Sequence, residues 1–143
     1  MGATVIGYWP EMTERQLESQ PGFWNDDRAW ANWMVEQEQS PALVDAIRKL
    51  NAEAILTYKT DGMEDEDVDW VSPRQLRDAA AKLREAVLAG SIEAVLILET
   101  YERGANRLEA VREEFIRDLN DIISIANWCE KEGATRLTLE VNW

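Results

Sequence analysis

Apolar and polar positions alternate at the carboxyl end of the chain, and apolar positions recur every three or four residues across most of its interior. Alternation marks a strand with one buried face, and the longer period marks a helix with an apolar stripe. At the amino end, Ala3 to Trp9 is rich in β-branched and aromatic residues and stops at Pro10, which predicts a strand closed by a loop. At the carboxyl end, Leu137, Leu139, Val141 and Trp143 alternate with Arg136, Thr138, Glu140 and Asn142, which predicts a terminal strand with one face inward.

Between these ends the signals are mostly helical. Thr13 and Gln16 have capping-box spacing, so a short helix is expected over Glu14 to Ser19, stopped by Pro21-Gly22. Asn25 to Gln39 reads as helix from the spacing of Trp30, Trp33 and Met34. Ser40-Pro41 then starts a helix carrying Leu43, Val44, Ile47 and Leu50. Ala54 to Thr60 reads as a strand from its Ile, Leu, Thr and Tyr content, ended by Asp61-Gly62. Asp61, Glu64, Asp65, Glu66, Asp67 and Asp69 follow, too repulsive together for regular structure, so an exposed loop is expected.

Ser72, Pro73 and Gln75 combine a capping box with a first-turn proline, and Leu76, Ala79, Ala80, Leu83 and Val87 form the stripe of a helix ending at Gly90. The run Val95 to Leu98 fits a buried strand as well as a helix; a helix over Ile92 to Glu102 is expected. The longest element spans Asn106 to Glu132, with Leu108, Val111, Phe115, Leu119, Ile122, Ala126 and Cys129 on one face and Gly133 as its stop. The fold class expected is α+β in a single globular domain, residues 1–143. A small sheet of about three strands packs against several helices, including the long one before the terminal strand.

Composition narrows the chemistry. There is no histidine, so Ser-His-Asp and Cys-His catalysis and His-bearing zinc motifs are excluded, and Cys129, the only cysteine, can form no intramolecular disulfide. Neither of the glycine-rich phosphate-binding patterns occurs. Twenty-eight Asp and Glu against fifteen Lys and Arg give a formal charge of -13, which repels nucleic acid and anionic membranes and favours cations or basic proteins. The longest aliphatic run, Ala94 to Leu98, is too short for a membrane span, and a cytoplasmic setting is expected.

Three places carry candidate chemistry. Asp61, Glu64, Asp65 and Asp67 offer oxygen ligands for a weakly held calcium or magnesium, without the ligand alternation of an EF-hand; no other cofactor is expected. Glu114 and Asp118 lie one helical turn apart on the long helix, where a half-buried carboxylate can act as acid or base or simply be neutralised by a neighbouring cation. Trp24, Trp30 and Trp33 belong to a tryptophan-rich first quarter suited to a core, a binding groove or an interface. Two functions follow. One is a binding or protein-interaction module for a basic partner or for a second copy of the chain. The other is a carboxylate enzyme assisted by a divalent metal.

Overall fold

The structure, a computed structural model, describes residues 3–25, 41–60, 62–96 and 108–142. Four strands, β1 (Ala3–Tyr8), β2 (Phe23–Asn25), β3 (Tyr58–Thr60) and β4 (Thr138–Asn142), form one mixed sheet in the order β2-β1-β4-β3. β1 pairs antiparallel with β2 and β4, whereas β3 runs parallel to β4. The helices are α1 (Glu14–Ser19), α2 (Pro41–Lys49), α3 (Pro73–Ala89) and α4 (Leu108–Lys131). The fold is α+β, with the long helix followed by the terminal strand as expected.

Local sequence accounts for the helix ends. Thr13 and Ser72 each accept from the backbone N–H three residues on, and Gln16 and Gln75 reach back to the cap backbone, so both capping boxes form. Gly90 closes α3 at φ 73° and Gly133 follows α4 at φ 88°, conformations that a side chain would strain. Within α3, Leu76, Ala79, Ala80, Leu83, Ala86 and Val87 are buried as one stripe. This stripe faces α4. Arg77 Nη1 donates to Asn127 and Glu130, and Arg84 Nη1 to Asn120, so later residues of α3 meet earlier residues of α4 and the two helices are antiparallel.

The core lies between this helical pair and one face of the sheet. Val5, Leu139 and Val141 point into it from the strands, and Phe115, Leu119, Ile122, Ile125, Ala126 and Cys129 from α4. At the end of β1 the rings of Trp9 and Trp128 meet at 5.9 Å, so these two tryptophans are core packing. Gly7 lets α4 approach the sheet: a Cβ there would lie 2.7 Å from Cys129 Sγ and 2.8 Å from Ile125 Cγ2.

The free edge of β1 is completed by a side chain. β2 pairs as far as Val5 with Phe23, and the next matching position opposite Gly7 would be Pro21, which has no N–H to give. The Gln20 amide takes that place, its Oε1 accepting from Gly7 N–H and its Nε2 donating to Gly7 O at 2.9 Å.

Two sequence expectations are adjusted, and a third is described only in part. Of the strand expected over Ala54 to Thr60, Glu53–Leu56 is a 3-10 turn that drops Ile55 into the core, and only Tyr58–Thr60 pairs in the sheet. A short apolar run carries no period long enough to separate these outcomes. Asn25, expected to open a helix, stands in β2 opposite Ala3, and the rest of that helix lies outside the described residues. The segment from Ile92 is helical over 93–96, and its remainder also lies outside them. No described helix is long and apolar enough to cross a membrane.

Candidate functional site

Strand alternation leaves a second sheet face, opposite α4. On it the register aligns Ile6 of β1, Glu140 of β4 and Lys59 of β3 in one row, and Tyr8 with Thr138 in the next. Beyond β3, Gly62 at φ 88° and a turn closed by Met63 N–H donating to Thr60 O at 3.1 Å reverse the chain. The acidic stretch then crosses beside this outer face as a strap. It contains an exposed 3-10 turn, Asp65–Asp67, and rejoins the sheet at Val71. There Val71 N–H donates to Leu137 O at 3.0 Å and Leu137 N–H returns a bond of 2.7 Å. Val68 is buried beneath the strap, and Tyr8 Oη donates to the Asp65 carboxylate, 3.2 Å from each oxygen. These contacts hold the five crowded charges from Glu64 to Asp69 in one conformation that electrostatics alone would not keep.

Two aromatic rings occupy the middle of the face. Because Val71 sits opposite Leu137, Trp70 falls beside Thr138 on the side away from Tyr8. The Tyr8 and Trp70 rings come to 6.1 Å of one another, and Thr138 is 0% exposed, with no hydrogen-bond partner for Oγ1 among the described residues. Each ring already holds a cation: Lys59 Nζ is 5.3 Å from the Tyr8 centroid, and Arg136 Cζ is 5.0 Å from that of Trp70. Arg136 also reaches Glu11 at 3.4 Å, whereas Lys59 enters none of the ion pairs found among the described residues. Between β3 and the strap is a cavity of about 450 Å³ lined by Lys59, Met63, Glu64, Asp65 and Glu66.

Desolvation raises the Tyr8 phenol above its ordinary range, and the charge and hydrogen bond of Asp65 add to this, followed by the charges of Glu140 and Glu11. Tyr8 therefore stays protonated and acts as a donor. Cys129 is buried in the core on the other side of the sheet, where desolvation pushes its thiol up to about 12.

No protein-family model, curated protein or solved structure matches this chain. Its residues must therefore be read on their own geometry.

The sequence candidates fall in different places. Glu64, Asp65 and Asp67 lie on the strap, exposed, with Asp65 engaged by Tyr8; Asp61 lies outside the described residues. Among the described residues no three acidic or cysteine side chains converge as a metal site would require. On α4, Asp118 is fully buried and partnered and Glu114 is half-buried one turn away. Trp24 stands in β2 opposite Thr4, and Trp30 and Trp33 lie outside the described residues. Tyr8, Lys59, Trp70, Arg136 and Thr138 were not singled out by the sequence. The alternation of β4 does assign Thr138 to the polar face, but the placement of Tyr8 and Trp70 beside it depends on long-range pairing that leaves no local signal. A second cleft, of about 400 Å³, lies between the 3-10 turn at Glu53–Leu56 and α3. On its rim Lys82 donates to Asn51 O at 3.4 Å and Thr57 to Ala54 O at 3.1 Å, so these groups are already paired.

Proposed function

We propose that this chain is a binding module that holds a basic protein or peptide against the outer face of its sheet. One observation carries the reading: a fixed strap presents the exposed carboxylates of Glu64 and Glu66 beside two aromatic rings that already hold cations from within the chain. Carboxylates attract lysine and arginine at long range, and aromatic faces add a short-range contact that selects them over water. The charge of -13 extends the attraction beyond the face and opposes pairing of two copies through it, which favours a basic partner over a homo-oligomer. No observation favours the alternative of a metal-assisted carboxylate enzyme: the strap carboxylates are spread along an exposed turn, and Asp118 is enclosed.

The test separates this face from the charge of the whole molecule. Binding of a fluorescein-labelled oligolysine peptide is followed by anisotropy for the wild-type protein, for Glu64→Gln/Glu66→Gln, and for Asp45→Asn/Glu85→Gln, which removes the same charge from α2 and α3. The strap variant is expected to lose about tenfold in affinity, a difference of about 1.4 kcal/mol, and the helix variant much less. Equal losses in both variants, or no binding at low ionic strength, would overturn the reading.

A further inference from the structure

Resting on that reading, we infer that Lys59 is an internal competitor for the partner's cation: a lysine or arginine of the bound basic segment takes its place over the Tyr8 ring. Among the described residues Lys59 is the one basic residue lining the strap cavity, with Glu64, Asp65 and Glu66, and its ammonium group forms no ion pair within 4.0 Å among them. It lies instead over Tyr8 at 5.3 Å, close to the outer limit for such a contact. Asp65 accepts from Tyr8, and among the described residues neither Glu64 nor Glu66 is ion-paired with Lys59, so these two carboxylates are the ones an incoming cation would meet. The contact of Lys59 with the ring also marks where a better-placed cation would go.

The occupant is fixed by complementarity. The described residues lining the cavity bring three carboxylates against one ammonium, so an incoming anion would be repelled and an incoming ammonium or guanidinium group attracted once Lys59 swings away. Lys59 sits on the edge strand β3, with Glu140 beside it in the same row, so its long side chain can turn toward solvent while the backbone stays paired to β4.

The experiment compares Lys59→Ala with Lys49→Ala, which removes the same charge from α2, outside the cavity, using the oligolysine peptide and anisotropy. Emptying the ring of its own cation should tighten peptide binding by about threefold to tenfold, while Lys49→Ala gives a much smaller gain. The gain should persist when Tyr8→Phe keeps the ring and disappear when Tyr8→Leu removes it. If Lys59→Ala and Lys49→Ala bind alike, the partner's cation does not use the Lys59 position, and the inference fails while the binding function stands. If Lys59→Ala weakens binding, Lys59 supports the docked state and the inference is likewise overturned. Absence of peptide binding in every variant would remove the binding function itself.

Discussion

At the scale of single residues, the closest approach between sheet and helix is set by Gly7 against Cys129. An added methyl at Gly7 would lie 2.7 Å from Sγ in a fully enclosed part of the core, too near for the neighbours to yield without moving α4. Gly7→Ala is expected to lower stability by about 1–3 kcal/mol, and Gly7→Ala/Cys129→Ala to recover part of that loss, with a coupling of at least about 0.5 kcal/mol in a double-mutant cycle from chemical denaturation. Strictly additive effects would show that the sulfur is not what the methyl meets. The same thiol makes stability depend on alkaline pH. Burial raises it from 9.0 to about 12, so the unfolded chain loses this proton first. Its contribution is fully present below pH 9 and is lost as the pH rises toward 12, at about 1.4 kcal/mol per unit. Cys129→Ala should therefore show a shallower fall of unfolding free energy across that window than the wild type. Thr138 carries the opposite expectation: its hydroxyl is enclosed without a partner among the described residues, so Thr138→Val should leave stability unchanged or raise it by about 0.5–1 kcal/mol, and a loss would reveal a bond to Oγ1.

At the scale of elements, β1 is held on one side by β4 and on the other by a two-part edge, β2 up to Phe23 and then the Gln20 amide. Because that amide both accepts from and donates to Gly7, no other side chain of its length can replace it. Gln20→Glu keeps the acceptor but sets an ionised oxygen against Gly7 O. It should cost more than Gln20→Ala at pH 7, and the cost should shrink as the carboxyl is protonated on acidification; thermal unfolding of both variants at neutral and acidic pH checks the sign. This edge also shows where sequence reading stops. The capping boxes at Thr13 and Ser72, the stripes of α3 and α4 and the alternation of β4 are local, and each appears in the structure where the chain places it. β2 has three residues, too few to display a period, and its partner is chosen by what lies opposite β1. The outer-face site was legible in the same partial way. Its acidic strap is plain in the sequence from Glu64 to Asp69. The partners that fix it, Tyr8 on β1 and Leu137 before β4, are distant along the chain and come together only when the sheet forms.

At the scale of the whole molecule, the proposed binding function would make one charge imbalance act on folding and on binding with opposite signs. The formal charge of -13 is spread over a chain in which ion pairs such as Lys49 with Asp45 and Arg136 with Glu11 are exposed and contribute little. Most of the surplus is therefore unneutralised repulsion in the compact state, concentrated where Glu64, Asp65, Glu66 and Asp67 share one short turn. Added salt screens that repulsion, so the melting temperature should rise with ionic strength, by roughly 3–4 °C for about 1 kcal/mol regained. The same screening weakens attraction to a basic partner, so peptide affinity should fall over the range in which the protein becomes more stable. Glu64→Gln/Glu66→Gln should flatten both responses, because it removes charge from the place where repulsion and recognition coincide. Thermal unfolding and peptide anisotropy measured over one salt series decide the matter. If stability and affinity fell together as salt was added, the strap charges would be held by attraction to cations within the fold, and their part in binding a partner would have to be given up.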